Sequence, residues 1–251
     1  DFLSKLVNLN SLTLNGNFQK INNLTVLTNL KELHYLTINR YSIYMGNVNT
    51  VDYSALKNLS KLYTLNLKDE YSDFNCDNIP KTVTNLDLQC NSLANIDKIA
   101  NLKDIRYIKI EKSKLKNINF IKNLNNIYSL TAKNNQITDM SPLENKNIQS
   151  VDLTNNPINT EEEKNAKIIK EYNNDNTKIL IVTEMEKTKK IDFENSEFKQ
   201  MLVSDKDLNR DGEISIYEME QITYLNSVKY FFQLSIHFSA NSGNGFPPNQ
   251  Q

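Results

Sequence analysis

Tryptophan is absent from the 251 residues, and histidine, cysteine and glycine are scarce, with two, two and five copies. The common catalytic signatures are missing as well: there is no Gly-x-Ser-x-Gly, glycine-rich phosphate loop, His-x-x-x-His or Cys-x-x-Cys. We therefore assign no catalytic residue and expect a protein that is not an enzyme. The two cysteines, Cys76 and Cys90, are too few for a disulfide framework, so they form either one bridge or, as is commoner, two reduced thiols.

A surplus of charge and a long apolar run are also missing. Lys and Arg number 29 against 30 Asp and Glu, for a formal net charge of -1. This balance argues against a nucleic-acid partner, which calls for a basic surplus on one face. No apolar run reaches the roughly 18 residues of a membrane-spanning helix. The chain opens at Asp1 without a methionine, so we expect a mature or excised fragment, and we expect it to be a monomer.

What the sequence has in abundance is one apolar pattern repeated seven times. Leu-x-x-Leu-x-Leu, with Ile, Val or Ala at some positions, first occurs over Leu9–Leu14 and last over Ile148–Leu153. The central residues of the seven copies are Leu12, Leu36, Leu65, Leu86, Ile108, Leu130 and Val151, spaced 24, 29, 21, 22, 22 and 21 positions apart. A near-constant period of this length is typical of a stacked repeat protein.

The pattern also predicts the structure of one repeat. The two apolar residues of x-Leu-x-Leu-x point to one side of a short strand and the polar ones to the other. Upstream, apolar residues recur every third position, as from Leu24 to Leu36, which suits a 3₁₀ return path. One such coil cannot close its own core, so coils stack and bury a continuous one. The sequence predicts an α/β solenoid with short parallel strands over residues 1–158.

The outward residues of the strands form three columns on one face of this sheet. They are mostly hydroxyl and amide side chains, with mixed charges and two tyrosines that are the natural hot spots for binding. We predict that a macromolecular partner is contacted by Tyr35, Thr37, Asn39, Asn66, Lys68, Asp87, Gln89, Tyr107, Lys109, Glu111, Thr131, Lys133 and Asp152. The longest spacing marks an insertion over 41–54, which either adds a partner contact or packs over the coil edge.

An asparagine follows the strand in four of the seven repeats. A buried side-chain amide at this turn satisfies interior backbone groups, so we expect a ladder of such amides. The four residues are Asn17, Asn91, Asn135 and Asn156, and the ladder is expected to be interrupted at Tyr41, Glu70 and Ser113.

The segment Asn135–Leu143, Asn-Gln-Ile-Thr-Asp-Met-Ser-Pro-Leu, resembles the internalin-type bacterial leucine-rich repeat, as does the period near 22. The resemblance covers residues 3 to 158. It implies a leucine-rich-repeat horseshoe with the strands on its concave face, and a macromolecular ligand bound there, commonly at a bacterial surface. It identifies the class of repeat and not the ligand.

A cap is expected after the last repeat, over residues 159–185. Thr160–Glu163 is interpreted as a capping box that opens a helix over about 161–172. This helix is predicted to turn Ala166, Ile168, Ile169 and Tyr172 toward the last coil. Lys178–Val182 then predicts a closing strand.

Residues Asp207–Glu218 fit the twelve-residue EF-hand loop, with Gly212 at the sixth position, where the chain turns sharply. Calcium prefers oxygen ligands, and the predicted ligands for one structural Ca²⁺ are Asp207, Asn209, Asp211, Glu213, Ser215 and Glu218. The alternative is an acidic turn that binds nothing. Because only one loop is present, we expect it to lack the strand pairing of a second hand and to bind weakly.

The calcium-loop segment is assigned to residues 186–226, and its stretch Ile191–Asn226 resembles segments that introduce leucine-rich arrays in some bacterial surface proteins. The tail at 227–251 is interpreted as flexible or non-native. Two function classes remain open. One is a protein-interaction or adhesion module of a secreted or cell-wall-associated virulence protein. The other is a cytoplasmic scaffold that resembles the leucine-rich-repeat subunits directing a phosphatase.

Overall fold

The computed structural model describes residues 2–16, 24–40 and 50–223, and its repeats form one sheet of eight parallel strands in chain order. The strands are β1 Ser11–Gly16, β2 Tyr35–Arg40, β3 Thr64–Asn75, β4 Asn85–Ala94, β5 Tyr107–Ile110, β6 Ser129–Thr131, β7 Ser150–Leu153 and β8 Ile179–Val182. The predicted leucine-rich-repeat solenoid is therefore confirmed. Over these three ranges, no helix has the length and apolar character needed to cross a membrane.

The strand register is also as predicted. The central residues of the seven repeats pair with one another in a single row, and Leu180 of the predicted closing strand extends that row to β8. From Leu36 to Val151 these residues are buried, and the core runs without a break from Leu24 to Tyr172. The alternation of inward leucines and outward polar residues fixes the register, because a slip of one residue would turn every leucine to solvent.

Short 3₁₀ helices run along the convex side, as the period of three predicts. They are Leu3–Lys5, Thr25–Asn29, Ser54–Asn58, Cys76–Asn78, Ile96–Asn101, Asn119–Asn123 and Ser141–Leu143. Their inward residues, such as Leu27, Leu56 and Ile121, are completely buried. Each coil is thus a strand and a 3₁₀ turn joined across one apolar interior.

Within the described residues, the predicted asparagine ladder is formed in the C-terminal repeats. Asn135 is fully buried; its Nδ2 donates to the carbonyl oxygen of Ile110 at 2.8 Å, and its Oδ1 accepts from the backbone N–H of Ser113 at 3.0 Å and of Leu115 at 3.1 Å. Asn156 repeats the arrangement one coil later, donating to the carbonyl oxygen of Ala132 at 2.8 Å.

The placement of Asn91 in this ladder is wrong. In β3 and β4 the strands continue past the usual turn and pair again at Asp73↔Ser92, after an irregularity in the register. Backbone pairing there replaces the amide, and Asn91 turns outward to donate to Asp73 at 2.7 Å. The serine expected to interrupt the ladder, Ser113, substitutes in part, because its Oγ accepts from the N–H of Cys90 at 3.1 Å. Asn17 and Tyr41 lie outside the described residues.

A buried ion pair joins the last residue of β2 to β3. The Arg40 guanidinium donates to both oxygens of Asp69, at 3.2 and 3.0 Å, and to Ser72 Oγ at 2.8 Å. Tyr53 Oη donates to Asp69 at 2.7 Å, and both charged side chains are completely buried. Residues 41–49 of the predicted insertion lie outside the described residues, whereas Tyr53 at its end packs inside the coil. Both cysteines are free thiols and buried, and burial raises the pKa of Cys76 to about 12.

The predicted capping box at Thr160–Glu163 is wrong. Helix α1, Glu163–Asn173, begins after Glu162, and no side chain caps its first turn. Asn159 Oδ1 instead accepts from the N–H of Glu161 at 3.0 Å and forms a turn before the helix. Of the predicted inward residues, Ile168 and Tyr172 are buried and Ile169 is half-buried, but Ala166 is exposed.

Asn165 takes the inward position instead of Ala166. Its Oδ1 accepts from the N–H of Met140 at 2.9 Å and its Nδ2 donates to the carbonyl oxygen of Thr138 at 3.1 Å. Asn165 therefore acts as the last rung of the asparagine ladder, supplied by the cap rather than by a repeat.

A 3₁₀ helix, Met185–Thr188, and two α-helices follow β8. The α-helices are α2, Ser196–Lys206, and α3, Ile216–Glu220, which flank the predicted EF-hand loop. Asn195 caps α2 and Ser215 caps α3. The loop does form one short antiparallel pairing, with a segment of its own chain and not with a second hand: Lys190 forms a bridge with Ser215, with hydrogen bonds from Ile191 N–H to Ile214 and from Ile216 N–H to Lys189. A segment just upstream thus replaces the strand of a second hand.

Candidate functional site

Eleven of the thirteen predicted partner-binding residues lie on the strands, in the registers expected for them, and Glu111 and Lys133 lie just past the ends of β5 and β6. Most are half-buried because neighbouring side chains in a column shield one another. Tyr35 and Tyr107 are exposed aromatic residues of this set, with 42% and 47% of their surface accessible. A face of small polar side chains with two projecting rings leaves room for a partner to approach the strands.

Two further tyrosines extend this aromatic surface, and the sequence analysis did not include them. Tyr63 packs edge-on against Tyr35, with 4.6 Å between ring centroids, and Tyr128 lies 5.7 Å from Tyr107. Both occupy the position just before the first outward column, where His34 also lies and packs against Tyr63. These tyrosines could have been found from the sequence, because each one directly precedes the first residue of a predicted strand.

Charges on this face are largely paired with one another. Lys109 lies 3.9 Å from Asp87 and 3.0 Å from Glu111, and Lys133 lies 2.7 Å from Asp152. Burial raises the pKa of Asp87, and the positive charge of Lys109 opposes that shift. The face therefore offers local ion pairs rather than a field of one sign.

A shallow groove of about 360 Å³ opens beside Tyr107. Its polar walls are formed by Asn66, Asn85, Asp87 and Lys109, and its floor includes Leu86. A partner that inserts here meets amide donors and acceptors, one carboxylate and one aromatic ring.

The second candidate site is the EF-hand-like loop. Gly212 has φ +82°, the left-handed region that favours glycine, and Ile214 is completely buried as an apolar anchor. Asp207 accepts from the N–H groups of Asp211 at 3.2 Å and Gly212 at 2.8 Å, so its carboxylate folds over the turn. Burial raises the pKa of Asp207; the hydrogen bond from Gly212 opposes this, and the charge of Glu218 adds to it. A cation in the loop would offset the repulsion between the negative charges of Asp207 and Glu218.

Glu218, the predicted twelfth-position ligand, is 1% exposed and is occupied by other donors. Its Oε1 accepts from the N–H of Leu208 at 2.9 Å and of Asn209 at 3.2 Å, and its Oε2 accepts from the N–H of Ser215 at 2.9 Å. Ser215 Oγ donates at 3.0 Å as well. The carboxylate thus joins the start of the loop to its end.

The loop has the glycine turn and the buried apolar anchor of an EF-hand, but its carboxylates are not gathered around one point. Across the described part of the chain, no three His, Cys, Asp or Glu side chains form a group that could hold a metal ion. The six predicted ligands share one loop, and Glu218 faces backbone amides. Calcium binding stays a prediction.

The loop lies against the repeats rather than apart from them. Arg210 contacts Glu70 at 2.7 Å and donates to the carbonyl oxygen of Cys90 at 3.4 Å. Gln136 Nε2 donates to the carbonyl oxygen of Arg210 at 2.9 Å, and Asn155 Nδ2 donates to Glu218 at 3.3 Å. Glu70 and Cys90 lie in the second halves of β3 and β4, and Gln136 and Asn155 follow β6 and β7. The loop therefore lies at the carboxyl-terminal side of these strands.

No protein-family model and no curated protein matches this chain. Among solved structures, the chain is similar to an internalin C2 from Listeria monocytogenes, at 24% identity and a TM-score of 0.49, over 72% of this chain and 73% of that one. It is similar to an internalin F of the same organism, at 22% identity and a TM-score of 0.47, over 73% of this chain and 58% of that one. A plant peptide hormone receptor is similar at 22% identity and a TM-score of 0.44, over 62% of this chain and 26% of that one.

Proposed function

We propose that this protein is a protein-interaction module of a secreted or surface-associated bacterial protein, which binds its partner on the outward, concave face of the sheet. The observation that carries this proposal is the exposed aromatic surface of Tyr35 and Tyr107, backed by Tyr63 and Tyr128, on a rigid parallel sheet. Aromatic side chains contribute disproportionately to binding energy, and a preformed sheet loses little entropy when it binds.

The polar surroundings support specificity for a macromolecule. Lys109 and Lys133 are held by neighbouring carboxylates, so their positions are set before a partner arrives. The groove beside Tyr107 provides a place for one side chain of the partner. Partner recognition then depends on the pattern of polar groups around two aromatic contacts.

The proposal is tested with fluorescently labelled protein on intact cells, with and without mild protease treatment of the cell surface. The variant Tyr35→Ala/Tyr107→Ala should weaken saturable binding by about tenfold or more, as expected when hot-spot side chains are truncated. The matched control is Lys57→Ala/Lys122→Ala, which changes two exposed residues of the convex 3₁₀ helices. Equal binding by wild type and both variants would contradict binding on the concave face.

We also propose that the loop binds one structural calcium ion through the six predicted ligands. Oxygen donors at the spacing of an EF-hand, a glycine at the turn and flanking helices support it. The ion would supply positive charge near Asp207, where burial and the charges of Glu218 and Asp211 already raise the pKa of its carboxyl, and it would stiffen the junction after the repeats. Affinity is expected at the weak end of the family, about 10⁻⁴–10⁻³ M, where extracellular modules operate.

Calorimetric titration with calcium chloride tests this. Wild type should give one-site heat at millimolar calcium, and Glu218→Ala should abolish it. Glu220→Ala is the matched control, because Glu220 lies on the same helix but pairs with Lys187 at 2.8 Å and is not a predicted ligand. Identical titrations for wild type and Glu218→Ala would refute the assignment.

A further inference from the structure

Tyr35 and Tyr107 lie in one row that crosses the sheet at right angles to the strands. The register places Tyr35 beside Thr64, Thr64 beside Asn85, and Asn85 beside Tyr107. Adjacent strands of a sheet are about 4.8 Å apart, so the backbones of the two tyrosines are separated by about 14 Å. We call these four residues the tyrosine row. It has the shape of a track for an elongated ligand that lies across the strands.

Polar side chains surround this row. On strands β1 to β7, the first two outward columns contain no aliphatic side chain: apart from the two tyrosines, each position is a hydroxyl, an amide or a charged group. Among the described strands, aliphatic residues enter these columns only at Ile179 and Ile181 on β8, three strands beyond Tyr107. The two aromatic contacts are therefore surrounded by groups that form hydrogen bonds.

The side chains of the row are open to a ligand. Tyr35 and Tyr63 pack edge-on, with 68° between their ring planes, and Tyr107 and Tyr128 are tilted by 55°. Neither pair is stacked face to face, so each pair keeps a ring face that the neighbouring ring does not cover. Between the pairs, the side chain of Asn85 forms no hydrogen bond with another described residue. Its amide is therefore available both to donate and to accept.

The charges beside the row are balanced. Asp87 faces the positive charges of Lys109 and Lys68, and Lys109 also pairs with Glu111 at 3.0 Å. Sites for single-stranded nucleic acid combine aromatic stacking with a basic groove whose charge the phosphates neutralise. The core of a protein–protein interface is apolar and depleted of charged residues. A row flanked by amides and paired charges fits neither of these two classes of ligand well.

A chain of sugar rings matches the row better. One face of a pyranose ring carries C–H groups, which pack against the electron-rich face of an aromatic ring. The rim of the ring carries hydroxyls, and each of these can donate and accept, as can the side chains of Thr64 and Asn85. Such a chain is elongated, and without acidic sugars it is uncharged.

We propose that the partner presents a neutral, linear glycan on one of its side chains, and that this glycan lies along the tyrosine row. Sugar rings pack on Tyr35 and Tyr107, and the hydroxyls of the rings between them pair with Thr64 and Asn85. This inference rests on the proposed binding face and adds the chemistry of what is bound there.

The test uses the full chain, fluorescently labelled, on intact cells and on a printed array of neutral, sialylated and sulfated oligosaccharides. One batch of cells is treated with mild periodate, which cleaves the vicinal diols of sugars and leaves the polypeptide backbone intact, and another batch with protease. We expect periodate to weaken saturable binding by at least about tenfold, as truncation of the two tyrosines does. On the array, wild type should bind neutral oligosaccharides.

Variants separate ring packing from other roles of the row. Tyr107→Ala should weaken binding to the neutral oligosaccharides by at least about tenfold, whereas Tyr107→Phe, which keeps the ring, should stay within about twofold of wild type. Asn85→Ala should cost about three- to tenfold, the loss of a hydrogen bond. Ser150→Ala is the matched control, because Ser150 lies in the same column on β7, outside the row, and its loss should leave binding unchanged.

The outcomes distinguish this inference from the proposed function. If periodate leaves binding unchanged while protease and Tyr35→Ala/Tyr107→Ala abolish it, the partner is recognised through its polypeptide; the glycan is then refuted and the binding face stands. Binding to sialylated or sulfated oligosaccharides alone would overturn the neutral glycan. If wild type shows no saturable binding to cells or to the array, the binding face and the glycan both fail.

Discussion

Replacing Asn135 by alanine should destabilise the repeats more than any comparable change of a polar side chain on their surface. The Asn135 amide is completely buried, and its Oδ1 is the acceptor for the N–H groups of Ser113 and Leu115. Its Nδ2 donates to the carbonyl oxygens of Ile110, at 2.8 Å, and Ala132, at 3.1 Å. Alanine leaves all of these backbone groups without that partner.

The magnitude follows from the two buried donors. A buried N–H left unsatisfied costs about 1–3 kcal/mol, and the lost donors to the carbonyls add to this. We therefore expect the free energy of unfolding to fall by about 3–5 kcal/mol, a large share of the total for a domain of this size.

Asn91→Ala is the matched control, because Asn91 occupies the same place in its repeat but points outward to Asp73. Its loss should stay within about 1 kcal/mol. Urea unfolding followed by circular dichroism measures both variants, with the slope of the transition checked for two-state behaviour. Equal losses for the two variants, or a loss below 1 kcal/mol for Asn135→Ala, would refute the ladder.

Three further predictions address the core, the ion pair and the thiols. Leu130→Asp should cost several kcal/mol and abolish the cooperative urea transition, whereas Ser129→Asp, on the outward face, should change stability by less than about 1 kcal/mol; similar transitions would contradict the register. Asp69→Ala removes the carboxylate from a buried guanidinium and should lower the free energy of thermal unfolding by about 3–5 kcal/mol, and a loss under 1 kcal/mol would count against it. Burial raises the pKa of both Cys76 and Cys90, so iodoacetamide at pH 8 should alkylate them at least about tenfold more slowly in the folded protein than in urea, and equal rates would contradict their burial.

The strand register could be predicted from sequence because one physical requirement fixes it. Inward apolar residues such as Leu65 and Leu86 recur with the coil, and any other register would expose them. The 3₁₀ turns follow from the same requirement, since a period of three keeps one stripe inward. Local signals of this kind lie within one repeat and need no knowledge of distant contacts.

Predictions that depended on competition between local groups were less successful. The sequence Thr160–Glu163 matches a capping box. However, the side chain of Asn159 accepts the N–H of Glu161 and forms a turn just before it, so the helix begins only at Glu163. Asn165 was missed because a polar residue was not expected on the inward side of an apolar helix face. Asn91 has the right position, but the longer pairing of β3 and β4 satisfies the backbone without it.

The docking of the loop on the repeats could not be predicted from the pattern. Arg210 contacts Glu70 and the carbonyl oxygen of Cys90, 120 or more positions earlier in the chain, and no periodicity links them. The ligand spacing of the EF-hand was visible in the sequence, whereas the donors that occupy Glu218 come from the loop backbone and from Asn155. The fold and the candidate ligands can therefore be predicted from short stretches of sequence. The hydrogen bonds that the ligands make in the folded protein cannot, because some of their partners lie far away in the chain.

The central claim, that the concave face is where the partner binds, is tested most directly by site-specific photo-crosslinking. A photoreactive amino acid is placed at Tyr107, which is 47% exposed on the concave face, and in a second protein at Lys122 on the convex 3₁₀ helix. On irradiation with intact cells, the first protein should give a discrete crosslinked product that excess unlabelled wild type suppresses, and the second should give none. Crosslinking from Lys122 alone, or equally from both positions, would contradict the proposed binding face.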